Sequence, residues 1–302
     1  MMRFLVVFLL VAMPSACFSW SAAGHEAGGV IAYFYLKSTK PETVDKLVSI
    51  LEKHPWYETE WQSRLSGKEG EQKALTLFML ASIFPDEARK SPLGNGDKTK
   101  WHYINYPLNP KNLPVPEMPV PNGEQILTEL LTNINSQTGQ QQALDLCWIF
   151  HIMQDLHQPL HTTALFDDLH KTGDKGGNDT YFTLENSEKP IRLHSFWDGL
   201  IKGQFDSIPQ FGKTIMALPK YSPDSLVELK MNKSIHDWVV NESYQLAITK
   251  VYRDGTLNGP QDSATPVPLD YEKEAFAIAE RRVVLSGYRL GMALREIFGD
   301  KM

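Results

Sequence analysis

The chain has 302 residues, of which 42% are hydrophobic and 22% are charged. This composition is typical of a globular protein long enough to bury a large core, and it excludes a disordered or fibrous chain. The 30 Lys and Arg residues are outnumbered by 36 Asp and Glu residues, so the formal net charge is −6. A broad basic surface for a polyanion is therefore not expected. If the chain handles phosphate groups, bound metal ions are the obvious source of positive charge.

The first 19 residues resemble a secretory signal peptide. Arg3 precedes an apolar run over residues 4–12, Pro14 breaks that run, and the small residue Ser19 ends the segment. We expect cleavage before Trp20 and a protein that is secreted or periplasmic. Loss of Arg3 would change the net charge from −6 to −7. The competing interpretation, a lipoprotein site at Cys17, is disfavoured because proline is a poor residue three positions before a lipidated cysteine.

Cysteine content and hydropathy limit how the mature chain can be held together. After removal of residues 1–19, Cys147 is the single cysteine, so an internal disulfide is excluded. The core, bound metals or both must then stabilise the fold, and a bacterial compartment fits better than a eukaryotic secretory pathway. No apolar run approaches the ~18 residues of a transmembrane helix, so we expect no membrane span.

Apolar residues recur mostly at helical spacing, which predicts one mainly α-helical domain over residues 20–302. Six prolines in residues 106–121 exclude a helix there and predict an extended surface connection. Residues 179–184 and 190–193 could form one short β-hairpin, and at most that one. The predicted helices cover residues 25–37, 41–53, 70–90, 122–136, 140–157, 194–203, 223–252 (interrupted) and 270–297.

The final predicted helix carries a broad apolar stripe, which is more typical of core packing than of a binding device. Trp148, Trp197 and Trp238 are likewise assigned to the core. The residues of the stripe are Phe276, Ile278, Ala279, Val283, Leu290 and Leu294.

Histidines and aspartates recur together at helix-turn spacing. His151 and Asp155 are four residues apart and so share one helix face, where both can reach one ion. His194 and Asp198 repeat this spacing. Proline at position 159 should end the first helix and free His161 to turn toward the same ion or a neighbouring one. Imidazole and carboxylate without cysteine suit hydrolytic Zn²⁺.

The ordinary interpretation of one such pair is a surface ion pair or a satisfied core contact. The accumulation of pairs favours metal binding, and three Zn²⁺ ions would add +6 to a mature chain of −7. His157 competes as a ligand, but it points away from the face of His151. We assign no metal role to His54, His170 or His236 and expect them at the surface or at helix ends.

Several segments, in the same order and spacing, resemble the S1/P1 type of zinc-dependent single-strand nuclease and 3′-nucleotidase. The resemblance implies the helical fold shared with phospholipase C, with three Zn²⁺ ions in one cleft. It also implies cleavage of single-stranded DNA and RNA to 5′-phosphate products and removal of 3′-phosphates from nucleotides. The segments are Trp20–His25, Phe84–Arg89, Trp101–Asn105, His151–His161, Gly176–Asn178 and His194–Asp198.

The resemblance also implies a metal-ligand set. A third ion would be held by His25 and by the α-amino and carbonyl groups of Trp20, with Asp155 bridging to it. The free α-amino group would arise by signal cleavage. An α-amino group with an ordinary pKa of about 8 can bind a metal in its neutral form. The first ion would be held by Asp86, His102, His151 and Asp155, and the second by His161, His194 and Asp198.

Five residues are expected to act on the substrate. Asp86 would orient or deprotonate the attacking water, and Arg89 would stabilise charge at phosphorus. Tyr103 matches a base-stacking position. Asn178 matches another nucleotide-contacting position. Asn105 departs from the fungal family members, which carry Asp there, so base preference is open.

Two other functions remain as alternatives. One is a zinc-dependent phospholipase C-like phosphodiesterase, which shares the helical three-zinc design but uses Glu where this chain has Asp198. The other is a zinc-binding protein without catalysis, which would not require Arg89 or an aromatic residue beside a ligand. We expect a monomer without an obligate protein partner, acting on single-stranded nucleic acid and 3′-nucleotides.

Overall fold

The computed structural model describes residues 20–91, 93, 96–231 and 233–299. The predicted signal peptide, its cleavage site and Cys17 lie outside or at the edge of these residues. The described chain is mainly helical, as predicted. Its helices are α1 (Ala22–Thr39), α2 (Pro41–Leu51), α3 (Gln62–Leu65), α4 (Gly70–Glu87), α5 (Gly123–Asn133), α6 (Gly139–Asp155), α7 (Leu193–Asp198), α8 (Ile208–Met216), α9 (Glu228–Met231), α10 (Ile235–Trp238) and α11 (Asp270–Phe298).

Helix α1 lies at the centre of the fold and packs against α4, α8 and α11. Glycines allow this close approach. A Cβ atom at Gly29 would lie 2.8 Å from the carbonyl oxygen of Phe78 on α4, and one at Gly287 of α11 would lie 2.6 Å from Ile31. Such distances exclude any side chain, so the backbones themselves are in contact. The N-terminal half of α1, which carries His25, is thereby fixed beside α4 and α6.

Five short strands form two small sheets. Strand β1 (Tyr106–Leu108) pairs in parallel with β2 (Thr163–Leu165). Strand β3 (Tyr181–Leu184) pairs antiparallel with β4 (Ile191–Arg192), which confirms the predicted hairpin, and in parallel with β5 (Thr265–Val267). The described residues thus contain the one predicted hairpin, and the strands β1, β2 and β5, which pair in parallel, were not predicted. A strand of three residues is too short for an alternation of apolar and polar residues to be recognised in the sequence.

The β1–β2 pair positions two predicted ligands. The backbone N–H of Ile104 donates to the carbonyl of His161 over 2.9 Å, and that of Tyr106 donates to Thr162 over 2.8 Å. These bonds place the segment after His102 beside the segment after His161. The proline-rich connection continues beyond β1 in an extended form, as predicted.

The helix predicted as interrupted over 223–252 is divided into α9, α10 and two π-helical segments, Val239–Tyr244 and Ala247–Val251. Two other features differ from the prediction. Helix α8 was not predicted. In the final stripe, five residues are buried or partly buried, but Phe276 is 43% exposed, because it lies off the face of α11 that buries Tyr271, Ala275 and Ala279. Trp148, Trp197 and Trp238 are all in the core, as predicted.

No helix within the described ranges is both long and apolar enough to cross a membrane.

Candidate metal centre

The predicted His and Asp ligands converge on one region from separate elements. His25 lies on α1, Asp86 at the end of α4, His151 and Asp155 on α6, and His102 in a 3₁₀ turn. Each of three groups has ligand atoms within 4.8 Å of one another. The groups, which we call clusters A, B and C, are Asp86–His102–His151 (A), His161–His194–Asp198 (B) and His25–His151–Asp155 (C).

Cluster A is the most compact. The Nδ1 atom of His102 and the Nε2 atom of His151 lie 2.9 Å apart. One oxygen of Asp155, Oδ2, lies 2.9 Å from the first nitrogen and 3.1 Å from the second. Asp86 Oδ1 lies 3.6 Å from His151 Nε2 and 3.8 Å from His102 Nδ1. Two carboxylates and two imidazoles thus surround one position, the donor set predicted from the sequence.

Asp155 links this cluster to the other two. Its second oxygen, Oδ1, lies 3.4 Å from His25 Nε2 and 3.6 Å from His161 Nδ1. The rings of His25 and His151 stack with centroids 4.1 Å apart. Because the two oxygens of one fully buried carboxylate face different histidines, Asp155 can bridge two ions.

In cluster B, His194 Nε2 lies 3.3 Å from Asp198 Oδ2, at the four-residue spacing predicted on one helix. The rings of His161 and His194 are stacked 5.2 Å apart. Gln158 donates from Nε2 to the other oxygen of Asp198 over 2.8 Å and so orients that carboxylate. The sequence did not predict this role of Gln158. Its place between His157 and Pro159, in the turn that links Asp155 to His161, could have suggested it.

Backbone carbonyls hold the imidazole rings in orientation. The Nδ1–H groups of His151, His161 and His194 donate to the carbonyls of Ser82 (2.8 Å), His102 (2.7 Å) and Gly176 (2.5 Å). Such bonds fix the tautomer and leave Nε2 as the ligand atom. Gly176 has a φ of 64°, and a Cβ atom there would lie 2.5 Å from a backbone oxygen, so only glycine fits this position.

Two buried atoms in the region are polar but receive no hydrogen bond within the described chain: Nε2 of His161 and Oδ1 of Asp155. Buried polar atoms normally have partners. A cation would satisfy both, and the donor set of imidazole and carboxylate without thiolate suits Zn²⁺. The residues present therefore fit a multinuclear metal site.

Burial and neighbouring charges shift the pKa values of these residues in different directions. Burial lowers the pKa of His25 and His102, and lowers that of His161 to about 3, so these imidazoles are neutral as ligands must be. Burial raises the pKa of Asp198 to about 7. In Asp155, the neighbouring histidines outweigh burial and hold the pKa well below its usual range.

Comparison with known proteins decides the family. The model of the S1/P1 nuclease family matches residues 20–299. The chain belongs to the S1/P1 nuclease family. Endonuclease 4 and Endonuclease 5 of Arabidopsis thaliana are 28% and 27% identical over 167 residues, which are 52% of this chain and 51% of each relative. In these two matches the chain spans about half the length of the relatives. Endonuclease 3 of the same plant is 25% identical over 98% of this chain and 94% of its own length.

The family match begins at Trp20, which the structure places at the metal region. Its side chain is fully buried, and its indole N–H donates to the carbonyl of Gln154 over 3.1 Å. The next N–H, of Ser21, donates to the carbonyl of Asp198 over 2.9 Å. Trp20 also lines a hollow of about 430 Å³ with Asp86, His194 and Asp198. We call this hollow the metal cleft.

The expected substrate residues of this S1/P1 chain lie at different distances from the cleft. Asp86 Oδ1 and Arg89 Nη2 form an ion pair at 2.7 Å, so each side chain helps to position the other. Asn178 lines the cleft and donates from its side chain to the carbonyl of Lys175. Tyr103 and Asn105 follow ligand His102 and are half-buried, and Asn105 has a positive φ of 66°. Neither of these two is a lining residue of the cleft.

The remaining histidines lie apart from the clusters. His157 donates from Nδ1 to Met153 over 2.6 Å and accepts at Nε2 from Arg289 over 2.9 Å, so both nitrogens are engaged elsewhere. His236 is exposed, as expected. His54 and His170 are buried, so a surface position is wrong for both, but His54 lies just beyond the end of α2, where its N–H donates to the carbonyl of Leu51. His54 stacks on an indole 4.1 Å away, and His170 is held by Asp167.

Proposed function

We propose that the protein is a secreted zinc-dependent nuclease that hydrolyses phosphodiester bonds of single-stranded DNA and RNA. Its products would carry 5′-phosphates, and it would also remove 3′-phosphates from nucleotides. One observation carries the proposal: three His/Asp clusters meet at Asp155 beside an open cleft. Membership of the S1/P1 nuclease family supports it, as do the names of the plant relatives.

We assign three Zn²⁺ ions to these residues. Clusters A and B would each hold one ion, the first with Asp155 added. The third would be held by His25, by Asp155 and by the α-amino and carbonyl groups of Trp20. Nε2 of His161 and Oδ1 of Asp155 are buried and have no hydrogen-bond partner among the described residues, which supports this assignment. When bound, the ions supply positive charge for phosphate and lower the pKa of water, so that hydroxide is available near neutral pH.

Asp86 and Arg89 act on the reacting phosphate. Asp86 is 13% exposed at its side chain, and its pKa is about 2, because His151, His102 and Arg89 outweigh the effect of burial. An ionised carboxylate at the edge of the cleft accepts a hydrogen bond from water and orients it toward phosphorus. The paired guanidinium of Arg89 can donate to phosphate oxygens as negative charge develops on them.

Substrate bases are held by residues around the cleft. The half-buried ring of Tyr103 presents a stacking surface beside ligand His102, and stacking does not depend on base identity. Asn105 offers both a donor and an acceptor to a base edge. Asn178 lines the cleft from the glycine-rich loop and can donate to a nucleotide.

Secretion belongs to the proposal because a free α-amino group at Trp20 requires cleavage of residues 1–19. Lipidation at Cys17 would leave Trp20 inside the chain and remove that ligand. The proposal therefore predicts a mature protein that begins with Trp20.

Metal content and cleavage test the proposal together. Mature protein is purified from the medium or periplasm, its N-terminus is sequenced, and its zinc is counted. Release of acid-soluble nucleotides from single-stranded DNA and RNA is measured before chelation, after it and after zinc is returned. We expect three zinc ions, an N-terminal Trp20 and activity restored by zinc. Cleavage of phosphatidylcholine but not nucleic acid would support the phospholipase alternative, and zinc without hydrolysis the storage alternative.

A further inference from the structure

A second hollow, of about 500 Å³, lies next to the metal cleft. We call it the side groove. It is formed between the residues that follow α7 and the first turns of α11. Gly199 lines both the metal cleft and the side groove. The two hollows therefore meet at the C-terminal end of α7, one residue beyond ligand Asp198.

Three phenylalanines line the side groove. Phe276 is 43% exposed, while Phe196 and Phe211 are half-buried. The ring of Phe196 is held in place by Tyr271, to which it is stacked at 5.8 Å, and by an edge contact with Phe182 at 5.0 Å. Packing in the core does not explain why the ring of Phe276 on α11 is exposed. An exposed aromatic surface beside a cleft is typical of a binding site.

Two lysines add positive charge to the side groove. Lys202 and Lys273 line the side groove and are exposed. Among the described residues that line it, Glu272 is the one acidic residue. Neither lysine has an ion-pair partner within the described part of the chain. The groove thus combines flat aromatic faces with cationic groups that can reach a phosphate.

We propose that the side groove binds the nucleotides of a single strand that lie beyond the scissile phosphate. This inference rests on the proposed nuclease function. Bases would stack on Phe276 and Phe211, and the backbone phosphates would contact Lys202 and Lys273. The path past Gly199 would carry the strand directly from the metal cleft into the groove.

An anionic lipid surface is the other class of partner that aromatic rings and lysines can bind. Two observations favour the nucleic acid. A membrane-binding surface needs several apolar side chains that protrude. Phe276 and Leu269 of the lining are exposed, but Phe196 and Phe211 are half-buried in a concave hollow, which favours a ligand that enters it. The hollow also shares the lining residue Gly199 with the metal cleft, where the strand would be cleaved.

Chain-length dependence of cleavage tests the side groove. KM is measured for a dinucleotide, which would not reach the groove, and for a twelve-residue single strand, which would. Loss of one stacking contact changes binding by about fivefold or more. We expect Phe276→Ala to raise the ratio of the longer strand's KM to the dinucleotide's KM by about that factor. Met231→Ala removes an apolar side chain that is 70% exposed outside the groove and should leave the ratio unchanged.

The lysines are tested by salt dependence. For a single strand, each phosphate contact contributes a slope of about 0.7 in a plot of log binding constant against log salt. We expect Lys202→Gln and Lys273→Gln each to reduce the slope for the longer strand by about that amount. Lys233→Gln, an exposed lysine that lines neither hollow, is the matched charge control.

The outcomes separate this inference from the proposed function. Absence of cleavage of every nucleic acid by the zinc-loaded wild type would refute the function itself. Normal cleavage with a KM ratio and salt slope unchanged in the groove variants would overturn only the side groove. Phe276→Ala that weakens binding to phosphatidylserine vesicles and leaves the KM ratio unchanged would assign the surface to lipid and also overturn the proposal.

Discussion

Asp155 presents its two oxygens to different histidines. Oδ2 faces cluster A, and Oδ1 faces His25 and His161. Few carboxylates are fully buried without a compensating charge, because burial of an ion is costly. Hydrogen bonding to the neighbouring imidazoles offsets part of that cost, and bound cations would supply the compensating charge. This residue therefore has more influence on metal content than any ligand that serves one ion.

Substitution of this carboxylate should remove two ions rather than one. In Asp155→Asn, a neutral amide replaces the carboxylate that faces both cluster A and His25. We expect zinc content to fall from three to about one, and hydrolysis to fall by more than about 100-fold. Asp145→Asn changes a partly exposed aspartate on the same helix and serves as the control. Near-normal turnover by Asp155→Asn would refute the three-ion assignment.

Tyr103 should affect binding without affecting metal. Its ring is half-buried beside ligand His102, and its carbonyl is fixed by the N–H of Gly123 over 3.0 Å. We expect Tyr103→Ala to raise KM by about 5-fold to 150-fold, the equivalent of one lost stacking contact of about 1–3 kcal/mol. Zinc content should remain that of the wild type. Tyr103→Phe keeps the stacking ring and should behave nearly as the wild type, so equal losses in both variants would refute stacking.

Spacing revealed the ligands but not the residues that orient them. The four-residue intervals of His151 with Asp155 and of His194 with Asp198 follow directly from the helix period, and the structure confirms that each pair shares a face. The backbone carbonyl of Ser82 has no comparable signature, and Gln158 has only its place between His157 and Pro159. Their roles depend on tertiary placement, which one sequence does not encode in a readable pattern.

At the scale of elements, the final helix supports the ligand turn that links Asp155 to His161. Arg282 on α11 donates from Nε to the carbonyl of His157 over 3.1 Å and from Nη2 to Ser243 over 2.7 Å. Ser243 in turn donates to the carbonyl of Leu156 over 2.6 Å. Glu242 pairs with Arg282 and with Arg289. This buried network ties the turn to α11 and to the π-helical segment.

Loss of this network should loosen the metal site. Arg282→Met leaves buried acceptors without their donor and should destabilise the fold by about 3–5 kcal/mol. We expect zinc affinity, measured by competition with a chelator, to fall by about 10-fold to 100-fold. Ser243→Ala, a milder change of about 1 kcal/mol, provides the same test if the first variant fails to fold.

The neighbouring arginine is the control for that experiment. Arg281 forms a partly exposed ion pair with Glu228 and donates to no residue of the turn between Asp155 and His161 in the described structure. Arg281→Met should lower the free energy of unfolding by less than about 1 kcal/mol and leave zinc affinity unchanged. Equal zinc affinities in the Arg281, Arg282 and Ser243 variants would show that the network supports only the fold.

The prediction of elements succeeded where periodicity was long and failed where it was short. Helices α1, α2, α4, α5, α6 and α11 lie within a few residues of the predicted bounds. For residues 223–252 the interruption was predicted but its position was not, because π-helical turns have a different period and the apolar pattern does not identify where the helix breaks. The exposure of Phe276 was also missed, since periodicity indicates a face but not where its packing partners end.

At the scale of the molecule, side chains from several elements converge on the candidate metal centre. Residues 20–302 contain one cysteine, Cys147, which is buried and whose pKa burial raises well above its usual value. No disulfide can join the elements within residues 20–302. The clusters instead gather ligands from α1, α4, α6 and α7 and from two turns, so bound ions would tie these elements together.

Chelation should therefore destabilise the whole fold. An ion held at one hundred times its Kd stabilises the native state by about 2.7 kcal/mol. For a domain of this size, each kcal/mol shifts the unfolding temperature by about 2–4 °C. Removal of three ions should thus lower the Tm by about 15 °C or more, measured by calorimetry before and after EDTA treatment. A thiol reductant should leave the Tm unchanged, because the lone Cys147 forms no disulfide. If the Tm is the same with and without chelator, the ions do not hold the elements together, and the packing of α1 against α4 and α11 must account for the stability alone.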